Sequence, residues 1–73
     1  PLLERKVVAL WPELLGPTIA QMTGEIQVKN GVLLVHIHSA ALKAQLFDIR
    51  HELVRKLNEA AGAQVLKDIR LLG

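Results

Sequence analysis

The 73-residue sequence contains no cysteine and no tyrosine, and its only aromatic residues are Trp11 and Phe47. Without cysteine the chain has no disulfide framework, no thiolate nucleophile and no thiolate zinc site, which excludes a disulfide-stapled secreted mini-protein. No apolar run approaches the roughly 20 residues that a transmembrane helix needs, and no N-terminal signal peptide is visible. These absences predict one small cytoplasmic domain with a mainly aliphatic core.

The charge of the chain is nearly balanced. Nine Lys and Arg against seven Asp and Glu give a formal net charge of +2, an excess too small to establish a nucleic-acid partner by itself. The excess lies in the second half of the chain, where residues 39–56 carry four basic and two acidic side chains. Any anion-binding surface is therefore expected there.

The first part of the chain has helical periodicity with two interruptions. Leu3, Val7, Leu10 and Leu14 recur at the spacing of one helix face, which predicts an amphipathic helix. Proline at position 12 and the Gly-Pro pair at positions 16–17 disfavour a continuous helix. We expect a broken or kinked helical arm that ends near position 23.

A β-hairpin is the strongest local signal. Residues 26–29 and 32–38 alternate between apolar and polar side chains on either side of Asn30-Gly31. Asn-Gly is the preferred sequence of a type I′ turn, because both central residues of that turn need a positive φ. The pattern predicts two antiparallel strands joined at this turn.

The rest of the chain is predicted as one long helix and one strand. Ser39 is a suitable N-cap, apolar residues keep helical spacing to Ala61, and Gly62 is a suitable C-cap. Residues 65–72 then alternate as a final strand, in which Lys67 falls at a core position, so we expect an edge position or a bulge there. We expect an α+β fold of order α-β-β-α-β, a three-stranded sheet with helices on one face. The predicted core is Leu33, Val35, Ile37, Leu46, Ile49, Leu53 and Ile69.

No catalytic or metal site is predicted. His36 and His38 share one face of a strand, but His51 belongs to the helix that covers the other face, so the three imidazoles do not converge on one zinc ion. Ser39 is explained as a helix cap, and Glu52 as a partner of Lys56 one helical turn away. We expect no enzyme and no cofactor.

A mixed apolar and basic strip runs along the long helix. Lys43, Phe47, Arg50 and Val54 follow one another at helical spacing beside the core positions. The simpler interpretation places Phe47 and Val54 beneath the N-terminal helix, with the basic stems reaching outward. The functional interpretation makes the strip a binding surface for a partner. Trp11 is interpreted as a core residue.

Several residues together match a known family. They are Trp11, Gly16, Ile19-Ala20 and Thr23, then Gly31-Val32-Leu33, Ser39, Gln45-Leu46, Leu57-Asn58, Gly62, Val65 and Ile69. This combination resembles the DciA-like helicase operators, the best-known branch of a bacterial family of small proteins long catalogued as a domain of unknown function. The resemblance implies a KH-like fold, association with the DnaB-type replicative helicase, and DNA binding during helicase loading. A KH domain that clamps nucleic acid does so with a Gly-x-x-Gly loop, and this sequence has none.

We therefore expect residues 1–73 to form a single KH-like domain, the core of a slightly longer native chain. The expected function is non-enzymatic: weak, sequence-tolerant DNA binding together with contact to the helicase. The residues assigned to DNA are Lys43, Arg50, Arg55 and Arg70, and those assigned to a protein partner are Phe47 and Val54. The alternative is a protein–protein adaptor or homodimer without nucleic acid, using the open sheet face or the final edge strand.

Overall fold

A computed structural model describes residues 1–73 as four helices and three strands. The helices are α1 (Leu2–Leu15), α2 (Pro17–Gln21), α3 (Ala40–Asp48) and α4 (Arg50–Ala61). The strands are β1 (Thr23–Lys29), β2 (Val32–Ile37) and β3 (Asp68–Leu72). The predicted α-β-β-α-β order is confirmed, with each predicted helical region divided into two helices. None of these helices has the length and apolar character to cross a bilayer.

The sheet is mixed, with β2 in the centre. β1 pairs with β2 antiparallel, and β3 pairs with β2 parallel, so β1 and β3 are the two edges. The hairpin turn is confirmed, because Asn30 and Gly31 have φ values of 52° and 77°. The placement of the last strand at an edge of the sheet is confirmed as well.

The core lies between the helices and one face of the sheet. Val7 and Trp11 of α1 are fully buried, and they join a cluster that α3, α4 and the sheet also supply. Six of the seven predicted core residues are buried: Leu33, Val35, Ile37, Leu46, Leu53 and Ile69. The helices thus cover a single face, as predicted. Leu3 and Leu14, which were counted on the apolar stripe of α1, are exposed.

The N-terminal arm is interrupted once. Pro12 lies inside α1 without ending it, because its fixed φ is compatible with a helix and the burial of Val7 and Trp11 holds the segment in place. Gly16, with φ 92° and ψ 169°, ends α1, and Pro17 begins α2 at its first position. The expected interruption at Pro12 was wrong, and the one at Gly16 is confirmed.

The prediction of one uninterrupted helix over residues 39–61 was wrong. The predicted caps are confirmed: Leu42 N donates to Ser39 Oγ over 3.1 Å, and Gly62 is left-handed with φ 80°. Between them the helix breaks at Ile49, with φ −110° and ψ 15°. α3 packs on β2 and β3 whereas α4 packs on α1 and β3, and one straight helix does not reach all of these surfaces. Ile49, predicted in the core, is 45% exposed at the break.

The final strand is shorter than residues 65–72 because Asn58 holds the segment before it. Asn58 is buried; its Oδ1 accepts from Val65 N and Leu66 N at 3.0 and 2.9 Å, and its Nδ2 donates to Leu66 O over 2.9 Å. Backbone groups that a strand would use are therefore bound to α4. Lys67 N donates to Gly31 O over 2.7 Å, and β3 begins at the next residue.

Residues of the recognised pattern hold this architecture together. Trp11 Nε1 donates to Thr23 Oγ1 over 3.2 Å, and Thr23 Oγ1 donates to Ile19 O over 2.7 Å. These bonds join α1, α2 and β1, so the interpretation of Trp11 as a core residue is confirmed. Lys6 Nζ donates to Ala61 O over 3.1 Å and ties α1 to the end of α4.

Candidate nucleic-acid and partner interface

The structure separates the six predicted site residues into two groups. Four of them lie around β3, and we call this group the β3 surface: Lys43, Phe47, Arg50 and Arg70. Val54 and Arg55 line a different depression of about 610 Å³, between α4, the hairpin turn and residues 64–67. The predicted strip is therefore not one continuous surface, because the break at Ile49 reorients α4 relative to α3.

Phe47 is the exposed aromatic residue of the β3 surface. It lies near the end of α3 and is 54% exposed, so the interpretation that it packs beneath the N-terminal helix was wrong. For Val54 that interpretation fits better, since Val54 is half-buried and packs against the core. Aromatic residues are enriched at protein interfaces, so Phe47 is a candidate contact residue.

Arg50 makes two contacts with Phe47 and one with Asp68. Its Cζ lies 3.8 Å from the centroid of the Phe47 ring, within the range of a cation–π interaction. Its Nη1 donates to Phe47 O over 2.9 Å. Its Nε lies 3.8 Å from Asp68 Oδ1, a partly exposed ion pair. The guanidinium is thus oriented by its surroundings, and Asp68 offsets part of its charge.

Lys43 lies at the far end of β3. It borders a depression of about 390 Å³ between α3 and Leu71, which Phe47 and Asp48 also line. An ideal Cβ on Gly73 would lie 2.6 Å from Lys43 Nζ, which places the ammonium group over the residue that follows β3. Lys43 forms no ion pair.

Arg70 connects two depressions. It lines one of about 220 Å³ with Phe47 and Arg50. It also lines one of about 280 Å³ at the hairpin end of the sheet. Arg70 is exposed and forms no ion pair, so its full charge faces solvent.

Arg55 is set apart from these residues in both position and charge. Its Nη1 lies 3.1 and 3.2 Å from the two carboxylate oxygens of Glu59, one helical turn away. Both side chains are exposed, so the pair is screened and its contribution to stability is small. Glu59 nevertheless offsets the charge that was assigned to DNA binding. The predicted pair of Glu52 with Lys56 is also present, at 3.7 Å.

Two cations near the β3 surface were not assigned from the sequence. Lys29 and Lys67 line the hairpin-end depression together with Arg70. Lys29 follows the alternation of β1 onto the open face, and Lys67 takes a core position in the alternation of its segment, between Val65 and Ile69. The second of these was a usable signal, since a lysine at a core position predicts an edge or a bulge, where the side chain reaches the surface.

The histidines do not converge. His36 lies on β2, His38 follows it, and an ideal Cβ on Gly24 would lie 2.8 Å from His38 Nε2. His51 lines the separate depression beside Arg55. The structure contains no group of three His, Cys, Asp or Glu side chains able to hold a metal ion. The arrangement around β3 offers one exposed cation, two half-buried ones and one exposed aromatic ring, which are suited to binding.

The chain was compared with known proteins. A family model described as "Dna[CI] antecedent, DciA" matches residues 1–71 of the 73. No curated protein matches the chain. The family match spans every helix and both edges of the sheet.

Proposed function

The chain belongs to the DciA family, and from this premise we propose that it is a non-enzymatic module that binds DNA weakly and contacts the DnaB-type helicase. The family has a role related to loading of the DnaB helicase in replication. We place the module in the bacterial cytoplasm, where replication takes place. The β3 surface is the part of the molecule that we assign to these contacts.

The unpaired cations beside β3 support the proposal of DNA binding. Lys43 and Arg70 carry charges that no carboxylate within ion-pair distance offsets, and Arg50 lies between them against Phe47. Each cation that neutralises a phosphate releases a counterion, so affinity falls as salt rises. Arg55 contributes less in this account because Glu59 holds its guanidinium.

The exposure of Phe47 is the observation that carries the proposed helicase contact. An aromatic ring that is 54% exposed contributes little to stability where it lies, and aromatic residues are enriched at the centres of protein interfaces. Ile49, also exposed, adds apolar area close to it in the chain. Val54 contributes less, because it is half-buried against the core on a separate depression.

A KH-like fold remains part of the proposal and affects how the backbone of DNA is held. The helix break at Asp48-Ile49-Arg50 contains no glycine, so the loop that clamps nucleic acid in KH domains is missing. We assign phosphate contacts to side chains instead. This is why the expected binding is weak and tolerant of sequence.

Titration of the protein with labelled single-stranded and duplex DNA at increasing salt tests the proposal. Three phosphate contacts, from Lys43, Arg50 and Arg70, predict micromolar or weaker binding at low salt. On single strands the slope of log affinity against log salt should be about −2. Titration with purified DnaB-type helicase tests the second contact. Absence of DNA binding at low salt would remove the nucleic-acid half of the proposal.

The second candidate is a protein–protein adaptor or homodimer. Both sheet edges are unpaired, and an unpaired strand next to exposed Phe47 is able to add a strand from another chain. Such an interface depends little on salt, whereas phosphate contacts depend on it steeply. Sedimentation at two protein concentrations, with and without helicase, separates a homodimer from an adaptor.

A further inference from the structure

The hairpin end of the sheet carries a cluster of three cations, and the carboxylate beside them, that of Asp68 opposite Val32, lies 3.8 Å from Arg50 Nε. Lys29, Lys67 and Arg70 line a depression of about 280 Å³ over Val32 and Leu34. None of the three cations forms an ion pair, and no acidic residue lines the depression. The depressions beside Phe47 differ in this respect, because Asp48 and Asp68 line them. The hairpin end is thus the more strongly attractive site for an anion.

Lys67 is held in place by its surroundings. Its backbone N donates to Gly31 O over 2.7 Å, and the preceding Leu66 is fixed by Asn58. Its side-chain Cγ lies 3.4 Å from the position that a Cβ on Gly31 would occupy. The stem therefore lies along the hairpin turn, and the exposed ammonium group at its end is accessible to an anion there.

Arg70 makes the cluster continuous with the β3 surface, since it lines both the hairpin-end depression and the one beside Phe47 and Arg50. Lys43 lies at the opposite end of β3, over Gly73. The five residues of β3 span about 16 Å at roughly 3.3 Å per residue. Cations therefore occur at both ends of this strand and along it.

We propose that Lys29, Lys67 and Arg70 form a phosphate-binding cluster that extends the β3 surface, so that one phosphodiester backbone follows β3 from Lys43 to the hairpin turn. This inference rests on the proposed DNA binding and adds two contacts to it, those of Lys29 and Lys67. Val32 and Leu34 supply apolar area beneath the cations, against which a sugar or base packs. Single strands and duplexes carry the same phosphodiester chemistry, so both are used as probes.

The test compares two double variants with the same net charge. Lys29→Gln with Lys67→Gln removes the two added contacts. Arg5→Gln with Lys56→Gln removes two cations from elsewhere, since Arg5 belongs to α1 and lies beside β1, and Lys56 pairs with Glu52. Both proteins are first melted to show that they fold, and are then titrated across a salt series with labelled oligothymidine and with a duplex of equal length.

With the two added contacts, five in all, the expected wild-type slope on oligothymidine steepens from about −2 to about −3.5. The cluster variant is expected to have a salt slope shallower than wild type by about 1.4 on oligothymidine, or about 1.8 on duplex DNA, because two phosphate contacts are lost. The control is expected to keep the wild-type slope. If both variants keep that slope while wild type binds DNA, the cluster is overturned and the proposed function stands. If wild type binds no DNA, both are overturned. Loss of helicase affinity with an unchanged DNA slope would make the cluster a protein contact and overturn the inference.

Discussion

The two edges of the sheet face different chemical surroundings. Beside β1, α1 forms a groove of about 420 Å³ whose apolar lining includes Val8 and Ile26, and whose charges, Glu4 and Arg5, are balanced. Beside β3 lie exposed Phe47 and three cations, Lys43, Arg50 and Arg70, of which only Arg50 has a carboxylate partner, Asp68. One sheet thus has an edge with balanced charge and an edge that attracts anions, and the binding surface belongs to the second.

The residues of the family pattern and the residues of the β3 surface have different roles. The pattern residues Trp11, Thr23 and Asn58 make hydrogen bonds that join helices to strands. No residue of the β3 surface is among the pattern residues, so membership of the family accounts for the architecture. The proposed contacts depend on residues between the pattern positions, which is why they need separate tests.

The largest expected effect is loss of the core that supports both edges. Leu53 is 6% exposed between α4 and the sheet, and Leu53→Ala should reduce the free energy of unfolding by about 2–5 kcal/mol. A domain of this size has little stability to spare, so much of the variant should be unfolded near 37 °C. Thermal melting followed by circular dichroism measures this, with Leu2→Ala at an exposed position as the control. A melting temperature within a few degrees of wild type would show that Leu53 is not central.

The second-largest effect is expected for Asn58→Ala, which should destabilise the β3 edge more than the β1 edge. Asn58→Ala leaves the N–H and the carbonyl of Leu66 without their partner, whereas Val65 N–H keeps its bond to Ala63 O. The cost is about 1–3 kcal/mol for each Leu66 group that stays buried. Relative to wild type, hydrogen exchange in the variant should accelerate more in residues 65–72 than in β1. Uniform acceleration across the sheet would mean that Asn58 supports the whole fold equally.

A smaller effect on stability, paired with a loss of binding, is expected for Phe47→Ala. An exposed ring stabilises the domain little, so the free energy of unfolding should change by no more than about 0.5 kcal/mol. Affinity for the helicase should fall by more than about 1 kcal/mol. Melting the variant alone and then titrating it with purified helicase measures both. A folded variant with wild-type affinity would exclude Phe47 from the interface.

The parts of the fold that were predictable from sequence depend on local chemistry. Asn30-Gly31 encodes its turn through backbone conformation, and Ser39 and Gly62 cap helices through groups within a few residues of them. The break at Ile49 was not predictable, because residues 39–61 keep helical spacing throughout. The break depends on packing against strands that are distant in sequence. Asn58 likewise hydrogen-bonds the backbone of residues 65 and 66, a contact that the local sequence pattern around Asn58 does not indicate.

The candidate site was predictable only in part, for the same reason. Lys43, Arg50 and Arg70 were identified as candidates, but their grouping around β3 depends on the packing of α3 and α4 against that strand. Arg55 was assigned with them although it pairs with Glu59, a contact whose i,i+4 spacing was visible in the sequence. Phe47 was assigned to a protein partner, and the simpler interpretation, which placed it beneath the N-terminal helix, was wrong because the ring is 54% exposed.

The claim that the binding surface lies at β3 is tested most directly by reversing one charge at each edge. Arg70→Glu and Arg5→Glu give proteins of identical net charge, and both side chains are exposed. Affinity for labelled oligothymidine at low salt should fall about tenfold, or about 1.4 kcal/mol, in Arg70→Glu, and by no more than twofold in Arg5→Glu. Equal losses in the two variants would show that DNA responds only to net charge, and would contradict a binding surface at β3.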